Sequence, residues 1–284
     1  MRANAQDHPD LFWALRGGGG NFGVATSFVF RLHPLTEVVG GLVAHPIDAA
    51  RDVLRFYGDF TADVADELTV LAGLVHAPDG SSMPLVALLL CHAGPRERAE
   101  QEVRPLLEFG SPAVTEVGPM PYPVINTMLD DGFPRGTLNY WKSTFVRGIT
   151  DGLIDTMVDK FAACPSPMSG IILEHFHGEV TRIGRQDTAV PHRAPGYNLL
   201  ITSQWIDPAT TDANIAWARD TFAALEPERA EGRWLNYFGD DEEANALDAA
   251  FGPNHARLTD VKRRYDPDNV FHLNQNIAPA AVAA

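Results

Sequence analysis

The chain is poor in cysteine, poor in basic side chains and without any long apolar run, and each scarcity closes off a class of function. It holds two cysteines in 284 residues, Cys91 in the apolar stretch LVALLLCHAG and Cys164 in FAACPSP. Neither belongs to a CxxC pair or a metal-ligand spacing, so no disulfide scaffold and no zinc site is expected. Both read as buried thiols acting as small hydrophobes. Lys and Arg number 22 against 37 Asp and Glu, a formal charge of -15. Nucleic acid is excluded as a partner, because binding it needs clustered cations to displace phosphate counterions. No stretch approaches the ~18 consecutive apolar residues of a membrane span. The N-terminus MRANAQDHPD has neither a hydrophobic signal core nor a twin-arginine pair. The expectation is therefore no membrane partner and a cytoplasmic location.

What the chain does have is 45% apolar residues, enough for a sizeable core, and an unusual opening run, DLFWALRGGGGNFGVATSFVFRLHP, from Asp10 to Pro34. Gly17 to Gly20 followed by Asn21, Phe22 and Gly23 give a backbone able to approach a ligand closely. Gly18, Gly20 and Gly23 formally match a dinucleotide fingerprint, which requires a strand before it and a helix after it. Here the order is reversed. Asp7 and Asp10 with Pro9 in the first turn, Leu11 and Leu15 one turn apart, and Gly17 as terminator predict a short capped helix upstream. Downstream, Val24, Thr26, Phe28, Phe30 and Leu32 alternate as one side of a strand. Helix, glycine loop, strand is not a Rossmann turn.

Beyond Pro34 the periodicity predicts strands at 38–44, 68–77, 84–92 and 113–117, with helices at 47–61 and 96–109. After a proline-rich loop over 119–134 come strands at 138–146, 170–177 and 197–206, with helices at 151–162 and 211–225. Seven strands and four helices in this order predict an α+β fold, one large mainly antiparallel sheet with helices on one face. A short extended segment at 233–238 then leads to helices at 241–251 and 254–265. Within the strand at 170–177, His175 and His177 point to one face. The pair lacks a third ligand at recognisable spacing, so substrate contact is the stronger reading and no metal is expected. His192 and Arg193 read as a structural turn.

The opening run, NYWKSTFV (139–146), TAVPHR (188–193) and WLNYFGDDEEANALDAAFGPNHARLTDVKRRYDPDNVFHLNQNI (234–277) resemble, in order, the berberine-bridge-enzyme-like FAD-linked oxidases. These are a branch of the vanillyl-alcohol oxidase and p-cresol methylhydroxylase flavoproteins. The resemblance implies three regions: 1–36 as the end of an FAD-binding domain, 37–232 as a substrate domain, and 233–284 as a tail returning to the FAD domain. It implies FAD as cofactor, held by Gly19, Gly20, Asn21, Phe22, Gly23, Val24, Asn274 and Gln275, the side-chain amides meeting the donors and acceptors of the ring edge. No covalent link is implied, since neither cysteine stands in the matching motif.

The resemblance further implies hydride transfer from a small organic substrate, of alcohol, sugar or amine type, to flavin N5. Tyr237 would act as base, and His175, His177 and Asn236 as substrate contacts. A phenol titrates near 10, so its proton must be loosened by a cation, for which Lys142 is the candidate. Trp234 replaces the first tyrosine of the family's motif. Most of the family's FAD contacts precede the glycine run, so the expected partner, besides the substrate, is a separately encoded or missing N-terminal FAD-binding half. The chain alone is expected to bind FAD weakly and to be inactive, with 28–32 exposed for want of a sheet partner. The alternative is a non-catalytic ligand-binding or interaction module.

Overall fold

The computed structural model describes residues 1–35, 37–239, 241–242, 246–273 and 275–280. In chain order the elements are α1 (Pro9–Leu15), β1 (Val38–Pro46), α2 (Ala50–Thr61), β2 (Leu68–His76), β3 (Pro84–His92) and α3 (Arg96–Glu108). There follow β4 (Val114–Met120), α4 (Tyr122–Asn126), β5 (Leu138–Val146), α5 (Asp151–Ala162), β6 (Gly170–Phe176), α6 (Glu179–Arg182) and β7 (Gly196–Trp205). The last are α7 (Thr211–Ala224), α8 (Ala246–Phe251) and α9 (His255–Tyr265). They fall into two compact units, one comprising 33–178 with 196–230, the other 1–32, 179–195 and 231–284. Segment 179–195 thus belongs with the chain ends, not with the sheet as the 37–232 reading had it.

The sheet unit is one seven-stranded antiparallel sheet in the order β4-β1-β3-β2-β6-β7-β5. Residues directly opposite on neighbouring strands share a face. One face carries Val39 and Val43, Val70 to Leu74 at alternate positions, Ile171, Leu173, Leu199 and Ile201, all buried in one core. Against it pack Val53, Leu54 and Tyr57 of α2, Val103 and Leu106 of α3, Leu153, Ile154 and Met157 of α5, and Trp217 of α7. Tyr57 has its phenol satisfied inside that core, donating to the carbonyl of Val70 at 3.0 Å. Thr150 caps α5 by accepting from the amide of Leu153 at 3.0 Å. The opposite face is largely free of helices. Among the described residues the short α4 reaches it at β1, where a Cβ on Gly40 would meet Ile125, and the turn at 130–132 reaches it at Gln204.

In the terminal unit α1 and α9 enclose a second core of Leu11, Trp13, Ala14, Phe22, Ala189, Phe251, Leu258, Val261 and Ile277. Arg257 lies over the Trp13 ring at 3.9 Å. α1 departs from the sequence expectation only at its start. Asp7 does not cap it: the cap residue is His8, in the left-handed region at φ 51 and without a side-chain bond. Asp7 is drawn instead into a local turn, its amide donating to Asn4 Oδ1 at 2.7 Å.

The strand predicted from Val24 does not form. Phe28 and Phe30 still stack, 5.8 Å apart, as alternation demands. No ladder partner exists for them among the described residues, and Val29, Phe30 and Leu32 stand 95%, 74% and 86% exposed. A strand is a paired object, and alternation alone does not supply the pair. The segment expected to be extended before Phe238 contains a 3-10 turn, Leu235–Tyr237, and of the helix predicted over 241–251, Asp241 and Glu242 stand outside any helix, 243–245 lie outside the described residues, and the rest is α8.

Candidate functional site

The four glycines of the opening run divide by what surrounds them. A Cβ on Gly17 would collide with Val190, and one on Gly18 would lie 2.6 Å from the Phe22 ring and 2.9 Å from Leu258. These two are glycine because the unit's own packing demands it. Among the described residues a Cβ on Gly20 or Gly23 would meet nothing within 4 Å, and one on Gly19 would meet the Asn21 amide and Leu235 at 3.6 and 3.7 Å. Gly20 has no positive φ to explain it either. Bare backbone there is an open cradle that the described residues do not fill.

Asn21 and Phe22, expected at the cofactor, are spent inside the unit. Asn21 is 3% exposed. Its Nδ2 donates to the carbonyls of Gly18 at 2.9 Å and Gln275 at 3.0 Å, and its Oδ1 accepts from the amide of Ile277 at 2.8 Å. Phe22 is a core ring, 7% exposed. Both are taken inward because the turn must be closed on the C-terminal tail. Val24 is 79% exposed. Of the tail amides, Asn274 lies outside the described residues and Gln275 contributes its carbonyl to Asn21. The Oδ1 of Asn276 is buried with no hydrogen-bond partner among the described residues. A buried acceptor left unmet costs about 1–3 kcal/mol, so it calls for a donor beyond those the described residues supply.

Close by in the terminal unit, Gly17, Val190, His192, Trp234, Leu235, Asn236 and Phe251 line a small cleft. His192 donates from Nε2 to the carbonyl of Ala250 at 2.8 Å, and burial lowers its pKa. Arg193 is bonded to the Val180 carbonyl and to Thr188. Tyr237, half-buried, ends the turn after Asn236.

In the sheet unit the register decides which side chains reach the open face. His175 pairs with Tyr197 and Lys142 with Ile201, so both point to the helix-covered side. His175 and His177 do share a face, their rings stacked 4.2 Å apart, but His175 is also stacked on Tyr197 at 5.1 Å. Burial, with His177 alongside, lowers the pKa of His175 to about 4. Lys142 is 6% exposed, with its ammonium 5.4 Å from the Tyr140 ring that Arg219 of α7 also covers. Neither is placed as a substrate contact on the open face, because a one-residue step along a strand reverses the side.

The same rule brings other residues forward. Glu174 pairs with Asn198 on the open face, and Asn198 Nδ2 donates to Glu174 Oε2 at 2.6 Å. Asn198 is 3% exposed and Gln204 fully buried, yet Asn198 Oδ1, Gln204 Oε1 and Ser143 Oγ have no partner among the described residues. Phe145 and Phe176, edge to face at 5.7 Å, wall this polar patch. The signal was present in YNLLITSQW, a buried stretch where Asn198, Thr202 and Gln204 keep one parity and, Ser203 apart, the other residues are apolar or aromatic. Among the described residues no three His, Cys, Asp or Glu side chains gather as a metal site, and no helix is long and apolar enough to cross a membrane.

Comparison with known proteins follows the same residues. The family described as berberine and berberine like matches 234–278. An FAD-linked oxidoreductase of Dictyostelium discoideum is 26% identical over 280 residues, covering 96% of this chain and 59% of the relative. The (R)-6-hydroxynicotine oxidase of Paenarthrobacter nicotinovorans is 25% identical over 292 residues, covering 96% and 61%. Among solved structures, 6-hydroxy-D-nicotine oxidase from Arthrobacter nicotinovorans superposes with a TM-score of 0.85 at 22% identity, over 99% of this chain and 63% of that one. A BBE-like protein of Physcomitrella patens gives 0.83 at 18%, over 99% and 63%. The chain spans about six-tenths of the length of these relatives. The tail thus matches the berberine-like family model, nearly the whole sequence is similar to FAD-linked oxidoreductases, and the fold is that of the solved berberine-bridge-like structures.

Proposed function

We propose that the chain serves an FAD-dependent oxidoreductase that removes a hydride from a small alcohol, sugar or amine. The observation that carries this reading is the glycine turn locked to the tail, with a bare cradle at Gly19, Gly20 and Gly23 and an unmet acceptor at Asn276. A flat ring with N–H and carbonyl groups along one edge suits both features. FAD, when bound, supplies the hydride acceptor.

The chain's own residues do the rest. Asn276, with Gln275, would meet polar groups of the flavin. The glycines would admit it without a Cβ in the way. Tyr237, once ionised, would be the group that takes the proton of the substrate hydroxyl or amine. In the sheet unit, taken by itself, the Glu174 carboxylate can accept from an N–H or O–H of a small polar ligand, the unmet Asn198 Oδ1 from a second, and Phe145 and Phe176 can cover its carbon skeleton. Lys142 and His175 are assigned no part, since they face the helices.

The test is flavin titration of the purified chain, by itself and with the portion of the relatives that it does not span supplied in trans. It is followed by anaerobic mixing with a panel of alcohols, sugars and amines. Flavin bound and bleached by a member of the panel supports the reading. Flavin bound but never bleached points to the binding module instead, and no flavin bound in either arm sinks both cofactor and reaction.

A further inference from the structure

Lys262, on α9, is fully buried, and its ammonium has three acceptors. It donates to the carbonyl of Asn21 at 2.8 Å, to Asp266 Oδ2 at 2.6 Å and to the carbonyl of Phe271 at 2.6 Å. All three of its protons are used. Asp266 in turn accepts from the amides of Val270 at 2.9 Å and Phe271 at 2.9 Å, and Lys262 together with these amides holds its carboxyl below the usual range against the opposing effect of burial. Burying such a pair is a poor way to gain stability, because desolvating two charges offsets most of their attraction. What the arrangement does provide is geometry.

A trans peptide is planar, with its C=O and N–H pointing opposite ways. Fixing the Asn21 carbonyl on the ammonium therefore turns the N–H of Phe22 away from it. Fixing the Phe271 carbonyl does the same to the N–H of His272. Neither amide has an acceptor among the described residues. One buried cation thus sets two peptide planes, one beside the glycine cradle and one in the tail.

We infer that Lys262 is a positioning residue of the cofactor site, orienting the Asn21–Phe22 and Phe271–His272 peptides so that their N–H groups are aimed at oxygen acceptors of a bound flavin nucleotide. The inference rests on the flavin reading above. The acceptors are either carbonyl oxygens of the ring or phosphate oxygens of the nucleotide tail, which share the chemistry of an electron-rich oxygen.

The experiment compares the chain with its Lys262→Met variant, with and without the remaining portion of the relatives in trans. Amide hydrogen exchange and titration with FAD and with riboflavin are the readouts. Exchange in 18–23 and 270–277 rises at least tenfold in the variant, while the amides of α1 and of Leu258 and Val261 stay within twofold. The dissociation constant for FAD rises at least tenfold. An equal loss for riboflavin assigns the acceptors to the ring, and a loss for FAD alone assigns them to the phosphates. Unchanged exchange in the two segments, unchanged FAD affinity, or loosening spread evenly through the terminal unit overturns the inference. If Lys262→Met does not fold, Lys262→Gln, which keeps two donors without the charge, is read by the same criteria. Should the wild-type chain bind neither flavin in either arm, the functional reading fails and the positioning role falls with it. Exchange that nonetheless rises in both segments of the variant identifies that case.

Discussion

Asn21 holds Gln275 across 254 positions of sequence, its side-chain amide donating to the Gln275 carbonyl at 3.0 Å. The same side chain takes the Ile277 amide on its oxygen and gives its second proton to Gly18, so a single residue closes the glycine turn on the tail. Asn21→Ala strands two carbonyls and one amide in a buried place. At about 1 kcal/mol for each lost bond, and more where water cannot replace it, the terminal unit loses roughly 2–4 kcal/mol. Urea unfolding followed by Trp13 fluorescence measures this, and a loss below about 0.5 kcal/mol would mean that the three bonds are not made in solution.

The glycines should separate in the same assay. Gly18→Ala drives a methyl into the Phe22 ring and Leu258, and overpacking of this kind costs about 1–3 kcal/mol. Gly20→Ala meets nothing within 4 Å, so stability is unchanged within about 0.5 kcal/mol, while flavin affinity falls at least tenfold. A Gly20→Ala protein that binds flavin like the parent removes the cradle from the argument.

How far the sequence could be read is seen by setting β3, β5 and α5 beside the site. Those elements have the bounds that alternation and helical spacing predict, because a half-buried element prints its burial on its own residues. The site depends on relations that no single segment carries. His175 and Glu174 are neighbours in sequence, and which of them meets the open face is settled by pairing with Tyr197 and Asn198 on another strand. Asn21 looked like a ligand residue beside glycines, but its partners lie at the far end of the chain. The alternation at 24–32 was legible, and so, through the resemblance, was the want of a partner strand that leaves Phe28, Phe30 and Leu32 exposed.

The sheet unit should weaken in acid. His175, His45 and His76 all have their pKa lowered by burial, His175 to about 4 from 6.5, with His177 adding to the effect. In each case the folded state favours the neutral ring. Above pH 6.5 neither state is protonated and stability is flat. Below it the unfolded chain takes up protons that the folded one refuses, so stability falls until the folded pKa is reached, for His175 near pH 4. The slope stays below the limit of about 1.4 kcal/mol per pH unit per group, since His175 and His76 are only half-buried and solvent screens them. Urea midpoints between pH 8 and 4 should be level above 6.5 and decline below it, and His175→Phe should flatten part of the decline. An unaltered profile in that variant assigns the acid sensitivity elsewhere.

Glu174 and Lys142 make the last contrast, because the sheet gives them opposite faces. Glu174→Gln keeps the volume and the possibility of a bond to Asn198, and it removes only the charge offered to a substrate donor. Stability should change by less than about 1 kcal/mol, since the residue is half-buried and the loss is one charge-assisted bond exchanged for a neutral one. Substrate reduction of the flavin should fall at least tenfold, with flavin affinity untouched. Lys142→Met should do the reverse. Lys142 as a whole is 6% exposed on the helix-covered side, with its ammonium 5.4 Å from the Tyr140 ring, so the substitution shifts the unfolding midpoint without altering the rate at which substrate bleaches the flavin. If Lys142→Met instead slows bleaching at unchanged stability, the cation acts on the reaction after all and the assignment of faces to functions made from the β5–β7 register is wrong.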